Sequence, residues 1–302
     1  MADQQTILVT GATGAQGGGV ARHLLKGAKF RVRCLTRNPE SEKSKALKQA
    51  GAEIAKGDLD NPASLKAALA GCYGVFGVTN FWEHFTKEKQ QGINLIDAVK
   101  EAKTPHFVFS ILPPAKKLSG GKLDVPHFDI KAEMEDYARG LKLGAIFVNV
   151  AFYFENFLGF FPPKKQADGT WAFGFPQGDT PLAGVAVEDV GGVVAAIFAR
   201  PADFKDQTVG IVGDDLPPKK YAEIMTRVLG KTVVFNYITR DVFAGFGFPG
   251  AEDLANMFEF YRLHIPNRAS DVARSRFLYP AMQTFEPWLK ANKEKFLAAI
   301  GA

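Results

Sequence analysis

"TILVTGATGAQGGG", residues Thr6–Gly19, begins as a buried strand and then loses its bulky side chains. Gly11, Gly14 and Gly17 form G-x-x-G-x-x-G between a predicted strand and a predicted helix, which is the context that a dinucleotide-binding motif requires. The first glycine permits a tight turn, the second lets a pyrophosphate approach the main chain, and the third lets helix and strand pack closely. The N–H groups and the dipole of the helix start then attract the anion. The motif therefore predicts a dinucleotide site, with a merely flexible turn as the alternative.

Short apolar runs alternate with helical patterns through the first half of the chain, which is the signature of βαβ units and a parallel sheet. Several runs are apolar throughout, as expected for strands covered by helices on both faces. Strands are predicted at residues 6–10, 30–36, 53–56, 74–79, 106–111 and 144–151. Helices are predicted at residues 19–27, 41–51, 61–71 and 89–103. Glycines 27, 51 and 71 stand where helix C-caps belong, and Asn61 with Pro62 marks a helix N-terminus.

The alternation of strands and helices decays after Val150, where a stretch rich in Phe, Gly and Pro predicts loops and short strands. A helical pattern at 185–201, ended by Pro201, and a strand pattern at 207–213 are expected to return to the main sheet. Further helices are predicted at residues 217–230, 251–264 and 284–301. These patterns predict a dinucleotide-binding domain at residues 1–151, joined by about 185–213, and a smaller interleaved domain at 152–302.

The composition is typical of a folded globular protein, because 46% of the 302 residues are hydrophobic and 23% are charged. The net charge of +5 is dispersed without a basic stripe, which suits a phosphate-bearing small molecule better than nucleic acid. Cys34 and Cys72 lie in apolar surroundings without metal-type spacing, so we expect buried free thiols, a mutual disulfide being the alternative. Residues 1–5 lack signal-peptide features, and the longest apolar run, 144–154, is shorter than the ~20 residues of a membrane span. We therefore expect a cytoplasmic protein without membrane contact.

The residue after the second predicted strand decides which dinucleotide is bound. In NAD-binding proteins, an acid roughly 20 residues beyond the glycines binds the ribose 2′-hydroxyl. Here the strand ends RCLTRNP, and Arg37 stands at that position. A guanidinium holds a 2′-phosphate through charge-assisted hydrogen bonds, so the sequence predicts NADP(H), with a solvated arginine as the alternative. Asp58 in GDLD is a candidate acceptor for the adenine amino group, an ordinary loop acid being the alternative.

Six stretches carry a resemblance to a known family: VTGATGAQGGGVARHLL, VRCLTRNP, VTNFWE, HFDIK, YFEN and GFPGAEDLANMFEFY. The chain resembles the NmrA-like proteins, which are atypical short-chain dehydrogenase/reductases, and is most similar to their redox-sensor members. The resemblance runs along nearly the whole chain. It implies an α/β fold with a Rossmann domain, whose parallel sheet is doubly wound, a smaller C-terminal α/β domain and a cleft between them. It also implies a location in the cytoplasm or the nucleus, with a homodimer as one assembly state.

The resemblance further implies NADP(H) contacts from six segments of the chain. They are the glycine loop with Gly11, Ala12, Thr13, Gly14, Ala15, Gln16 and Gly17; Arg37 with Asn38; Asp58 with Leu59; Thr79, Asn80 and Phe81; Lys131; and Tyr153, Phe154, Glu155 and Asn156. The sequence departs from the family at one position. The family lysine before QG is Gln90 here, and the neighbouring Lys89 is a candidate substitute.

The catalytic tyrosine of working short-chain reductases is replaced. In those enzymes a tyrosine four residues before a lysine donates the proton, whereas this sequence has His127-x-x-x-Lys131. This spacing puts both side chains on one helical face. Histidine ordinarily has a pKa of about 6.5 against about 10 for tyrosine, so it mostly lacks a proton to donate at neutral pH. A water-recharged His127 acid oriented by Ser110 stays a hypothesis beside an ordinary cleft histidine, and Tyr153 is a second hydroxyl or a packed tyrosine.

Two hypotheses from different classes follow. The first is a non-enzymatic sensor that binds NADP(H) and responds by changing its conformation, its association state or its protein partner. The second is an NADPH-dependent reductase of an apolar carbonyl, imine or quinone, built on Ser110, His127 and Lys131. The aromatic stretches AFYFENFLGFF and FAGFGFPG suit either an apolar substrate pocket or a packed core. The sensor is the preferred hypothesis, because the cofactor motif is intact and the tyrosine is replaced.

Overall fold

The computed structural model describes residues 4–301, and contacts within it divide the chain into two units. Unit 1 consists of the chain up to Pro113, Ile130–Val150 and Val187–Gly210. Unit 2 consists of Pro114–Asp129, Ala151–Ala186 and the chain from Ile211 onward. Each unit is thus built from three separated stretches of sequence. Residues 1–3 and residue 302 lie outside the described residues. The prediction that residues 1–5 lack signal-peptide features falls partly on this undescribed segment.

The strands, in chain order, are β1 Thr6–Val9, β2 Arg31–Thr36, β3 Glu53–Lys56, β4 Cys72–Gly77, β5 His106–Ile111, β6 Ile146–Val150, β7 Phe152–Tyr153, β8 Lys164–Lys165, β9 Trp171–Phe173, β10 Leu182–Val185, β11 Thr208–Ile211, β12 Asp214–Leu216 and β13 Val233–Phe235. The α-helices are α1 Ala15–Gly27, α2 Glu42–Gln49, α3 Pro62–Leu69, α4 Phe81–His84, α5 Lys87–Ala102, α6 Ala115–Leu118, α7 Pro126–Gly140, α8 Val190–Ala199, α9 Pro218–Leu229, α10 Arg240–Ala244, α11 Ala251–His264, α12 Ala269–Leu278, α13 Phe285–Ala291 and α14 Lys293–Ile300. Short 3-10 helices lie at Phe154–Leu158, Val187–Asp189 and Pro201–Phe204.

A seven-stranded sheet in the order β11-β6-β5-β4-β1-β2-β3 organises unit 1. The strands from β6 to β3 in that order pair in parallel. Ile7, Leu8 and Val9 of β1 are fully buried, as expected for a strand that is covered on both faces. The predicted doubly wound parallel sheet is confirmed, and the strand pattern at 207–213 returns to it as β11. The strand order reverses between β1 and β4, and such sheets bind ligands beyond the carboxyl ends of the strands at this reversal.

The predicted helix-end signals are correct at most positions. The Asn61 side chain accepts a hydrogen bond from the Ser64 N–H, so Asn61 is the N-cap of α3 as predicted. Gly51 and Gly71 follow their helices with φ of +100° and +70°, in the left-handed region that favours glycine. The prediction for Gly27 is wrong, because α1 includes Gly27. The next residue, an alanine with φ of 49°, takes the left-handed cap position, where its N–H bonds the carbonyl three residues back.

The helix predicted at 284–301 is two helices, α13 and α14, which meet at Asn292. The Trp288 carbonyl accepts from the Asn292 side chain at 2.8 Å and also from the Asn292 N–H at 3.1 Å. Trp288 and Phe296, on either side of the break, are both buried. The apolar spacing therefore continues across the break between α13 and α14, which is why the sequence predicts one helix here.

Two three-stranded sheets, β12-β10-β7 and β13-β9-β8, lie in unit 2 beside an aromatic core. Phe154 and Phe157 are fully buried, and Phe175 stacks on Phe258 with ring centroids 4.3 Å apart. The core interpretation of AFYFENFLGFF is therefore confirmed for its buried rings. Phe160 in the same stretch differs, because it is 66% exposed.

Cys34 and Cys72 are buried free thiols, as predicted. Burial raises the pKa of Cys34 to about 12 and also raises the pKa of Cys72. Neither thiol is therefore an activated nucleophile near neutral pH. No helix among residues 4–301 has both the length and the hydropathy to span a membrane.

Candidate functional site

The glycine loop begins where β1 ends, and Thr10 fastens it to the chain that leaves β4. The Thr10 hydroxyl donates to the Val78 carbonyl at 3.1 Å and accepts from the Val78 N–H at 2.8 Å. Gly11 follows with φ of +57°, and a Cβ there would lie 2.8 Å from Val78 Cγ1. Conformation and space both require glycine at position 11. Thr10 therefore holds the glycine loop against Val78, a role that the glycine motif alone does not reveal.

Gly14 and Gly17 bring α1 close to the loop. Gly14 is the N-cap of α1, and a Cβ on Gly17 would lie 2.4 Å from the carbonyl oxygens of both Thr10 and Gly11. The predicted close packing of helix on strand is therefore confirmed. The other loop residues are Ala12, which is buried, Thr13 and Gln16, which are partly exposed, and Ala15, which is exposed. The N-terminus of α1 thus follows β1 at the strand-order reversal, and this is the geometry that binds a pyrophosphate.

Arg37 lies directly after β2, and its side chain is 54% exposed. Its Nη2 donates to Glu83 Oε1 at 2.5 Å, and this hydrogen bond raises the pKa of Arg37 and lowers the pKa of Glu83. Asn38 shapes the turn that follows, since its Oδ1 accepts from the Glu40 N–H and its carbonyl accepts from the Ser44 hydroxyl. A 2′-phosphate bound at Arg37 would therefore meet a carboxylate already paired with the guanidinium.

Asp58 and Leu59 follow β3 in a loop that side chains hold in place. Asp58 Oδ1 accepts from the Asp60 N–H at 3.0 Å, and the Leu59 carbonyl accepts from Asn94 Nδ2 at 2.8 Å. The first contact is that of an ordinary loop acid. The adenine contact of Asp58 stays a prediction.

Lys131 is buried, and its ammonium makes three hydrogen bonds inside unit 1. Its Nζ donates to the Thr79 carbonyl at 3.2 Å, to the Thr79 hydroxyl at 2.9 Å and to Glu88 Oε1 at 2.5 Å. These acceptors match the three donors of a lysine ammonium. The Thr79 hydroxyl donates in turn to Glu88 Oε1 at 2.7 Å. The sequence does not predict Glu88 as the partner of Lys131, because a single glutamate beside a helical pattern carries no signal of burial.

Asn80 and Phe81 continue the chain from Thr79. Asn80 is the N-cap of α4, and Phe81 is buried in its first turn. Ser110 is buried in β5, one residue before the strand ends. The proposed orienting hydroxyl therefore lies at the carboxyl end of its strand, as predicted from the sequence.

Lys89, the candidate substitute for the family lysine, lies in the first turn of α5. It forms an ion pair of 2.7 Å with Glu133, and both side chains are about half exposed. Gln90 Nε2 donates to Asn94 Oδ1 at 2.9 Å. Both residues have partners at the surface, and a cofactor contact of Lys89 stays a prediction.

His127 belongs to unit 2, where it pairs with Asp253 at the start of α11. The His127 N–H donates to Asp253 Oδ2 at 3.2 Å, and the ring Nδ1 is hydrogen bonded to Asp253 Oδ1. A carboxylate oxygen accepts hydrogen bonds, so Nδ1 is the donor in this contact, which also fixes the orientation of the imidazole ring. Asp253 stands in the recognised GFPGAEDLANMFEFY stretch, but only the tertiary fold shows its pairing with His127.

Ring packing and hydrogen bonds hold the turn Tyr153–Asn156 in place. Phe154 is fully buried and packs on Trp288 and Phe285, so a ligand contact at Phe154 would come from its main chain. Glu155 Oε1 accepts from Trp288 Nε1 at 3.1 Å, and the Asn156 carbonyl accepts two N–H groups of the following loop. Tyr153 ends β7 and is partly buried. Cofactor contacts from this turn stay a prediction.

Unit 2 also has an open cavity of about 690 Å³, with Phe235, Tyr237 and Pro181 among its lining residues. The cations beside it are neutralised. Lys219 pairs with Asp179 at 2.8 Å, and Arg262 binds Glu259 through two nitrogens. The residues predicted as site residues do not line this cavity.

A sequence model of the NmrA-like family matches residues 3–289. The chain belongs to the NmrA-like family. An NmrA-like family domain-containing protein of Dictyostelium discoideum is 35% identical over 241 residues, covering 77% of this chain and 80% of that protein. An NmrA-like family domain-containing oxidoreductase of Cladobotryum is 33% identical over 281 residues, covering 84% of this chain and 83% of that protein. The solved structure of NmrA, a negative transcriptional regulator, in complex with NADP has a TM-score of 0.84 at 22% identity, covering 99% of this chain and 98% of that one, so the two share a fold.

Proposed function

We propose that this NmrA-like protein binds NADP(H) and acts as a sensor of the NADPH/NADP state. The observation that carries the proposal is the glycine loop. Gly11 and Gly17 leave no space for a side chain, and α1, which begins between them, has its N-terminus at the reversal of strand order. Arg37 after β2 supplies the cation for a 2′-phosphate. NmrA, which shares the fold, has solved structures in complex with NAD and with NADP, so the likeness supports a nicotinamide dinucleotide as the ligand, and the choice of NADP(H) rests on Arg37.

The side chains at the positions of the reductase tyrosine and lysine favour a sensor over an enzyme. His127 stands where short-chain reductases have the tyrosine, and Lys131 directs its donors to Thr79 and Glu88. A tyrosine–lysine proton donor is therefore not assembled by these residues. A sensor needs only a bound state that differs between NADPH and NADP. In our proposal, the NADPH-bound and NADP-bound states differ in how they bind a protein partner or in how they associate as a homodimer.

Calorimetry and a turnover screen test the proposal together. We expect tight binding of NADPH and NADP, weaker binding of NADH, and a change in sedimentation or protease cleavage that differs between NADPH and NADP. We also expect no NADPH oxidation with a panel of aromatic aldehydes, imines and quinones. Absence of binding by well-folded protein free of carried-over ligand would refute the cofactor proposal, and steady turnover would refute the sensor.

The second candidate function is an NADPH-dependent reductase, favoured by the bond between His127 and Asp253. When bound, NADPH would supply a hydride to an apolar carbonyl, imine or quinone. Asp253 orients the His127 ring, and in this alternative the ring exchanges a proton with the substrate. The oxidoreductase relative supports this class of activity. Turnover that is lost in both His127→Ala and Lys131→Ala, and retained in His264→Ala at an exposed position, would decide for the reductase.

A further inference from the structure

Glu88 carries a fully buried carboxylate in the first turn of α5. Oε1 accepts from Lys131 Nζ at 2.5 Å and from the Thr79 hydroxyl at 2.7 Å. Oε2 is buried and has no hydrogen-bond partner among residues 4–301. A buried carboxylate with only one hydrogen-bonded oxygen destabilises the folded state, because burial removes the water that would solvate the other oxygen.

Stability alone does not account for this ion pair. Apolar residues of similar volume are often as stabilising as a buried ion pair, because the desolvation penalty offsets the attraction of the charges. The pair does fix geometry. The flexible stem of Lys131 would otherwise allow many positions of Nζ, and Glu88 with Thr79 selects one of them beside the end of β4.

We infer that Glu88 is a positioning residue of the NADP(H) site, which acts through Lys131. The inference rests on the proposed function, in which Lys131 exchanges its longest hydrogen bond, 3.2 Å to the Thr79 carbonyl, for one to the cofactor on the nicotinamide side. Glu88 neutralises the buried ammonium, and the shared contact with Thr79 connects Lys131 to the segment Thr79–Phe81, a second predicted contact. Loss of the carboxylate would leave the buried Lys131 side chain without its counter-ion and free to leave this position.

Unit 1 offers a matched control in Glu135. Glu135 Oε1 accepts from Arg139 Nε at 2.8 Å and from the Thr208 hydroxyl at 3.3 Å, so it also joins a cation to a threonine. Its side chain is 15% exposed. None of these three residues belongs to the proposed cofactor site. Glu135→Gln therefore removes a comparable carboxylate without touching Lys131.

Calorimetry with two ligands tests the inference. NADPH carries the nicotinamide half, whereas adenosine 2′,5′-bisphosphate keeps the 2′-phosphate and lacks that half. We expect Glu88→Gln to weaken NADPH binding by about tenfold or more, the size of a lost charge-assisted hydrogen bond. Its affinity for adenosine 2′,5′-bisphosphate should stay within about twofold, and Glu135→Gln should change neither affinity.

A double-mutant cycle separates positioning from a general structural role. In the Lys131→Gln background, Glu88→Gln should cause no further loss of NADPH affinity. That double variant removes both buried charges, so it remains measurable even where Glu88→Gln alone fails to fold. The inference is overturned by equal weakening of both ligands, by an unchanged NADPH affinity in Glu88→Gln, or by a further loss in the Lys131→Gln background. Failure of the unmodified protein to bind either ligand would instead refute the proposed function itself.

Discussion

Gly191 packs directly on the main chain of Gly19. A Cβ on Gly191 would lie 2.3 Å from the Gly19 carbonyl oxygen and 2.7 Å from His23 Cδ2. A Cβ on Gly19 would lie 3.2 Å from the Glu188 carbonyl oxygen. Helices α1 and α8 therefore meet backbone to backbone in unit 1. Because the glycine loop leads into α1, this contact also fixes the helix on which the proposed pyrophosphate site depends.

Gly191→Ala is expected to lower the free energy of unfolding by about 3 kcal/mol, because an added methyl group forces the two helices apart. Urea unfolding followed by circular dichroism measures the change. Gly140→Ala is the control, since a Cβ at that helical position would meet no heavy atom of residues 4–301 within 4 Å. The control should be neutral or stabilising by up to about 1 kcal/mol. Equal effects of the two variants would contradict the packing argument.

The glycines within residues 11–19 show which features the local sequence predicts and which depend on the tertiary fold. Gly11, Gly14 and Gly17 were assigned correctly to a strand–turn–helix, because the motif has one known geometry and the spacing is local. The motif does not explain Gly19, because the atoms that a Cβ there would crowd belong to Val187 and Glu188, which are distant in sequence. The fold class was likewise predictable, since alternating strands and helices follow from periodicity.

The candidate site likewise combines residues that the sequence predicts with partners that only the tertiary fold reveals. Comparison with the tyrosine–lysine motif of short-chain reductases points to His127 and Lys131, but the sequence does not predict the partners Glu88 and Asp253. A carboxylate in an amphipathic helix looks the same in sequence whether it faces solvent or a buried ammonium. Asn292 shows the local counterpart, because apolar spacing does not reveal a side chain that bonds the preceding turn.

The interface of α1 and α8 should weaken on acidification. Burial is the main cause of the lowered pKa of His23, so the unfolded chain takes up a proton near the ordinary value of about 6.5 before the folded chain does. Stability therefore falls as the pH drops below that value. The hydrogen bond from Arg22 lowers the pKa of Glu188, whose contribution is present above its ordinary value of 4.5 and is lost as the pH falls below it.

Urea unfolding at a series of pH values between 7 and 4 checks this expectation. His23→Gln should flatten the upper part of the decline and leave the lower part, which belongs to Glu188, in place. His264→Gln, an exposed histidine of unit 2, serves as the control and should retain the whole decline. A profile of His23→Gln that coincides with that of the unmodified protein would exclude His23 as the cause.

Arg37→Asp is expected to reverse the cofactor preference from NADPH to NADH. The substitution replaces a cation that can bind the 2′-phosphate by an acid that repels it and can accept from a ribose hydroxyl. Calorimetry with both nucleotides measures the ratio of the two affinities, and the loss should be confined to NADPH. Equal affinities of the unmodified protein for NADPH and NADH would show that Arg37 does not select the phosphate.

Glu83→Gln is expected to strengthen NADPH binding by up to about fivefold, the range of an exposed ion pair, while NADH affinity stays nearly constant. The reason is the bond between Glu83 Oε1 and Arg37 Nη2, because the carboxylate competes with a 2′-phosphate for the same guanidinium. The gain should shrink in about 0.5 M salt, since both side chains are exposed and screened. Glu223→Gln, which breaks the similarly exposed pair with Lys220, is the control for removal of a paired surface acid, because neither residue is a predicted cofactor contact. Weaker NADPH binding in Glu83→Gln would show instead that the carboxylate orients Arg37 toward the phosphate.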